Sequence, residues 1–288
     1  MIFYNPHQKD IKELDMDPRV LAALCCDRFL YGDHLMHIAT LLNKEQGDIY
    51  CLYINYTTQI ESLCERILKK QAPPKKIILM MNVGKQKNYQ NGFYETYLGC
   101  DFKVGNHFSL AMIDLQKHEI SHCDSLGWAI PTKVFEIAHK FNTTFYNSNS
   151  EFNLLYLHQP TSTGAHKCSS ECHKGYPLQR DGNICAVVVI VMAAVAVFCP
   201  DVFQKIIEKE KFSVQHPFHE PTKFSRYLRT VVMGWFGENK ITADQVVSVE
   251  TGSDSISDSE VILADFEVAD EKSDLIEDKK EDKVNIKG

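Results

Sequence analysis

One stretch limits what this chain can become. From Ile184 to Cys199, sixteen consecutive residues carry no charge, and Pro200-Asp201 ends the run. That length exceeds an ordinary buried strand and falls short of a membrane span, so the run is expected as a buried helix. A turn-rich polar segment, Pro177-Leu178-Gln179-Arg180-Asp181-Gly182-Asn183, leads into it and delivers Cys185 to its first turn. Unpaired N–H groups and the helix dipole favour thiolate over thiol at such a position. Gln179, six residues upstream, could place a side-chain donor beside the same sulfur. Taken alone, Cys185 reads first as a packed thiol opening a core helix. Its partners elsewhere in the chain have to decide.

The 288 residues suit one large domain, or one domain and a tail. The formal charge of −7 is unevenly placed. Residues 249–288 hold thirteen Asp/Glu against five Lys, which leaves 26 basic and 25 acidic residues in the body. The acidity therefore belongs to the tail, and the body lacks the basic field that nucleic-acid binding needs. No secretory signal is read at the N-terminus, and ten cysteines without one suggest free thiols in a reducing compartment, nucleus or cytoplasm. No membrane span is read, and a monomer is expected.

Helical spacing runs through 33–42 and 58–70, with Pro73-Pro74 closing the second. Residues 48–55 read as a short extended piece and 76–82 as a buried strand, followed by a loop over 88–105. His107 to Leu115 is strand-like, Gln116-Lys117-His118 turns, and Glu119 to Cys123 returns. Pro131 opens a helix to about Phe141, and 152–158 is another apolar strand. Residues 159–180 form a long irregular loop, and helices are expected over 200–211 and 221–236. Beyond 238 the Ser-rich acidic sequence reads as disordered. Strands in the middle with helices at both ends predict an α+β domain over 1–238 and a tail over 239–288.

A nucleophilic thiol needs a base, and the base needs an orienting acceptor. His107 follows Gly105-Asn106 and opens the apolar strand; Asp124 ends the return strand, ahead of Ser125-Leu126-Gly127-Trp128. In an antiparallel pair the start of one strand lies beside the end of the next, so the two can meet at one sheet edge. Separately, His107 reads as a strand-edge surface histidine and Asp124 as strand-end turn chemistry.

Together these residues resemble a known family. Gly-Asn-His-Phe-Ser-Leu-Ala-Met-Ile-Asp-Leu with Glu-Ile-Ser-His-Cys-Asp-Ser-Leu is similar to the His-Trp and Asp-Ser-Leu blocks of the ubiquitin-like-protein-specific cysteine proteases of the SUMO-protease type. Pro-Leu-Gln-Arg-Asp-Gly-Asn-Ile-Cys resembles their Gln to Cys block, and the order His, Asp, Gln, Cys agrees. Phe29-Leu30-Tyr31-Gly32-Asp33 is a weaker match to the family's early Trp block. The resemblance covers roughly residues 20–210. It implies a papain-like protease fold of circularly permuted order: a central mixed or antiparallel sheet, with the nucleophile at the N-terminus of a buried helix.

The resemblance implies Cys185 as nucleophile, His107 as base and acid, Asp124 as its orienter and Gln179 in the oxyanion hole. Phe108, Phe29 and Trp128 would contact substrate, the C-terminal Gly-Gly of a ubiquitin-like modifier. No metal or cofactor is implied. Phe108 stands where the family has tryptophan, Phe29 stands for its early tryptophan, and Ala186 replaces the glycine after the nucleophile. Those departures leave room for a modifier-binding module that cuts poorly. A cysteine acyltransferase of related fold is a further alternative, ranked last for want of a basic cluster to hold coenzyme A phosphates.

Other signals carry less. His166, Cys168, Cys172 and His173 are of zinc-ligand type, but their cramped spacing fits no common finger. His34 and His37, at i and i+3, read as helix-surface residues.

Overall fold

A computed structural model describes residues 18–25, 29–44, 47–70, 72–87, 94–99, 107–156, 183–207 and 224–250. Its centre is a mixed six-stranded sheet. In chain order the strands are β1 (Ile49–Ile54), β2 (Lys76–Lys87), β3 (Tyr94–Leu98), β4 (His107–Asp114), β5 (Glu119–Cys123) and β6 (Asn153–Tyr156), arranged β1-β2-β4-β5-β6 with β3 also on β2. β1 and β2 are parallel, as are β5 and β6; the other pairs are antiparallel. Val83 pairs with Leu98 on one side and His107 on the other, so β3 extends the β2 edge opposite β4.

Alternation along β4 sorts its residues between two cores. Phe108, Leu110 and Met112 face the larger one, built with α1 (Pro18–Cys25), α2 (Gly32–Leu42), α5 (Cys185–Phe198), α6 (Pro200–Ile207), α7 (Ser225–Glu238) and α8 (Ala243–Glu250). Ala111 and Ile113 face the smaller one, built with α3 (Ile60–Lys70) and α4 (Lys133–Tyr146).

The apolar run folds as the sequence requires. Every residue of α5 except Phe198 is buried, and it packs on β4, β2 and four other helices. Seven valines and isoleucines make a poor intrinsic helix, because β-branched side chains lose χ1 freedom there. Burial supplies the difference, at roughly 1.5–3 kcal/mol for each large side chain removed from water. Among the described residues no helix is long and apolar enough to cross a membrane.

Several elements depart from the sequence reading. The loop expected over 88–105 contains β3, and β2 runs on to Lys87 to pair with it. Tyr94-Glu95-Thr96-Tyr97 has the composition and alternation of a strand, so the signal was present. α8 is the larger difference. Ile241, Val246 and Val249 are buried in the main core, so the domain continues past the boundary expected at 238. Thr242 and Gln245 close its N-terminus reciprocally: the Thr242 N–H donates to Gln245 Oε1 (2.9 Å) and the Gln245 N–H to Thr242 Oγ1 (3.4 Å). Residues 251–288, the rest of the expected tail, lie outside the described residues.

Of the two helix histidines expected at the surface, His37 is exposed and His34 is not. His34 is buried, and its Nδ1 accepts the Tyr31 N–H at 3.0 Å, which caps α2. His37 stacks on Phe236 of α7 with ring centroids 5.5 Å apart. Both therefore join α2 to its surroundings.

Candidate active site

The β4–β5 hairpin sets the site. Its turn is closed by Asp114, whose Oδ1 accepts the N–H groups of Gln116 (3.1 Å) and Lys117 (2.9 Å), and His118 takes the left-handed conformation at φ 54°. Pairing then runs from Asp114 opposite Glu119 to Leu110 opposite Cys123. One more step of this register puts Asp124 across from Ser109, diagonal to His107 and on its face of the sheet. The side chains meet: His107 Nε2 and Asp124 Oδ2 are 2.9 Å apart, with both residues under 5% exposed.

A second set of bonds fixes the carboxylate. Asp124 Oδ1 accepts the backbone N–H groups of Leu126 (2.8 Å) and Trp128 (3.0 Å). Gly127 makes this possible, since the chain curls back through φ 69°, a conformation side chains resist. Both carboxylate oxygens are thus engaged, and only one of them by His107.

The electrostatics follow from these contacts. Burial alone would push the Asp124 carboxyl upward. The His107 cation, their hydrogen bond, the nearby His122 ring and the Trp128 N–H outweigh it and hold the group below the usual carboxylate range. Burial likewise works against a charged His107, but Asp124 and, more weakly, Cys185 outweigh it and raise the imidazole to about 10. Cys185 reaches the ring as a hydrogen-bonding partner. Because Nε2 is committed to Asp124, Nδ1 is the nitrogen that serves the sulfur.

Cys185 is the first residue of α5 and is 1% exposed. Ile184 precedes it as the cap, with its carbonyl accepting the Val188 N–H at 3.0 Å. The first-turn N–H groups and the positive dipole end of α5 therefore gather at the sulfur. Ala186 is buried beside it.

The aromatic residues divide. Trp128 lies against the site: its ring is 4.6 Å from the His107 ring, and Lys85 Nζ stands 5.5 Å from its centroid. Phe108 faces the opposite side of β4, is 3% exposed, and packs toward Tyr53 at 6.4 Å. Adjacent strand residues point to opposite faces, so a ring directly after His107 cannot flank the same imidazole. Phe108 shares the larger core with Cys185 and Ala186 of α5. Phe29 is half-buried ahead of α2. Gln179 and the quartet His166, Cys168, Cys172 and His173 lie outside the described residues. Among the described residues no group of three or more ligand-type side chains is placed to hold a metal.

Lys85 over the Trp128 ring and the two backbone donors to Asp124 belong to the site through tertiary structure. Gly127, three residues after Asp124, was the legible hint of a turn folding back on the carboxylate.

No family model matches this chain, and no curated protein does. Among solved structures it is similar to the C-terminal Ulp1 protease domain in complex with Smt3, the yeast orthologue of SUMO. Identity is 15%, 77% of this chain and 82% of that chain are covered, and the TM-score is 0.46. It is similar also to the Ulp1-like SUMO protease catalytic domain of Chaetomium thermophilum, at 13% identity over 75% and 74% of the two chains, TM-score 0.43. A third is the Xanthomonas campestris effector XopD bound to ubiquitin, at 14% identity over 77% and 91%, TM-score 0.32.

Proposed function

We propose that the chain is a cysteine peptidase that cuts after the C-terminal glycines of a ubiquitin-like modifier, with SUMO the first candidate. The observation that carries this reading is the arrangement around one imidazole. His107 holds Asp124 at 2.9 Å through Nε2 and has Cys185, at a helix N-terminus, as its other partner. The motif resemblance supplies the substrate class; the geometry supports the chemistry.

In this reading His107 Nδ1 takes the Cys185 proton before attack, the imidazolium is held charged by Asp124, and the thiolate then adds to the scissile carbonyl. The tetrahedral oxyanion lies at the first turn of α5, where the Cys185 N–H and Gln179 would donate to it; each such donor is worth about 3 kcal/mol. Collapse forms a thioester, and the imidazolium gives its proton to the departing amine. Water then attacks the thioester, His107 takes its proton, and sulfur leaves and is reprotonated as the glycine carboxylate is released. Asp124, tied by two backbone N–H groups, keeps Nε2 occupied and the ring in register throughout.

The test is turnover of a panel of modifiers, including SUMO and ubiquitin, each carrying a fluorogenic amide at its C-terminal glycine. At least one should be hydrolysed by the wild-type chain and none by Cys185→Ala. Binding of a modifier with no hydrolysis would favour the poorly cutting module that Ala186 suggests. Hydrolysis surviving in Cys185→Ala would reject the assignment of the nucleophile.

A further inference from the structure

Arg229 is buried in the second turn of α7, 3% exposed. A buried guanidinium is costly unless its donors are used, and among the described residues they run to three different segments. Nε lies 3.4 Å from Ser225 Oγ, one turn earlier on its own helix. Nη1 donates to the Ala23 carbonyl at 3.0 Å. Nη2 donates to the Asn183 carbonyl at 3.2 Å. The Ala23 carbonyl belongs to the last turn of α1, where intrahelical donors run out and the dipole is negative. Asn183 stands two residues ahead of Cys185.

We propose that Arg229 is a positioning residue for Cys185. Its planar fork holds the backbone just before α5 at a fixed distance from α1 and α7, and so sets where the sulfur meets His107. The inference rests on the reading of Cys185 as the nucleophile and adds a residue to it. Shape matters as much as charge. A guanidinium spans two carbonyls that approach from different directions, whereas an ammonium is a compact charge on a flexible stem. A role in fold stability alone would leave the reactivity of Cys185 in the folded protein unchanged. A positioning role would not.

The test reads Cys185 directly, without any modifier. The rate of Cys185 alkylation by chloroacetamide at pH 7 is followed by peptide mass spectrometry in wild type, Arg229→Lys, His107→Ala and the double variant. Leu228→Ala, which removes a buried neighbour on α7, controls for loss of stability. His107→Ala should slow alkylation at least tenfold. Arg229→Lys should approach the same rate while folded, add less than twofold in the His107→Ala background, and leave Leu228→Ala at the wild-type rate. If Arg229→Lys does not fold, Arg229→Gln is read in the same cycle.

A folded Arg229 variant within twofold of wild type, or faster, would overturn the inference. So would an equal slowing in both His107 backgrounds, since the effect would then not pass through the His107–Cys185 pair. A wild-type rate that His107→Ala leaves unchanged would instead reject the nucleophile reading, and the inference with it.

Discussion

At the scale of single residues, the His107–Asp124 pair is the best-defined electrostatic feature. Both groups are buried, so each needs the other charged. The imidazole is raised from 6.5 to about 10, so its contribution to stability is complete below pH 6.5 and fades as pH rises toward 10. The carboxyl is lowered from 3.8, so its contribution is present above that value and is lost as pH falls through the lowered pKa. The pair therefore stabilises the fold most between about pH 4 and 6.5. Asp124→Asn should cost about 3–5 kcal/mol in urea denaturation at pH 6, the usual loss when one partner of a buried pair is removed. The gap to wild type should shrink between pH 7 and 10; a gap independent of pH would contradict the assignment of charges.

Trp128 carries the second residue-scale prediction. Its ring covers one side of His107, and its N–H holds Asp124. Trp128→Ala keeps the N–H and removes the ring. Turnover should fall roughly 10- to 100-fold through loss of imidazole placement, a range typical of small misplacements at a reacting group. The value of KM separates this from substrate contact: an unchanged KM with lower kcat fits a ring that positions His107, and a raised KM with unchanged kcat would return Trp128 to the substrate surface the family resemblance assigns it.

At the scale of elements, α5 does two jobs at once. Its apolar body anchors the larger core while its first residue carries the sulfur. Ile190→Ala, in the middle of the helix and fully buried, should cost about 2–5 kcal/mol by thermal or urea unfolding. Turnover per folded molecule should stay near wild type, because Ile190 is more than a turn from Cys185; a loss well beyond the unfolded fraction would show that the helix body and its first turn are coupled. Elements with strong local signals were legible in the sequence: α5 from its length without charge, β4 and β5 from their apolar runs and the turn between them. β3 and α8 depart from the expected loop and tail, although Tyr94-Glu95-Thr96-Tyr97 and Thr242-x-x-Gln245 carry a strand and a capping signature. In each case a stronger impression, loop or acidic tail, covered a local pattern that tertiary packing then used. His34 shows the converse, since helical spacing gives its helix but not the Phe236 ring that meets it edge-on in the core.

At the scale of the whole molecule, the site assembles from pieces far apart in sequence. The hairpin brings His107 to Asp124 across seventeen residues, whereas Cys185 arrives through α5 packing on β4 and β2. Chemistry-bearing residues were legible because their types and order are unusual. Face was not: it depends on register, which placed Phe108 in the core and Trp128 beside the imidazole. Long-range braces such as Arg229 to Asn183, 46 residues apart, leave no local mark at all.

The central claim is that Cys185 is the nucleophile His107 serves. Its most direct test is a covalent trap: a modifier bearing a C-terminal electrophile, with the adduct mapped by mass spectrometry. One adduct is expected, on the Cys185 peptide, formed by the folded wild type, greatly slowed in His107→Ala and absent in Cys185→Ala and after denaturation. An adduct on any other cysteine, or one that persists in Cys185→Ala, would contradict it.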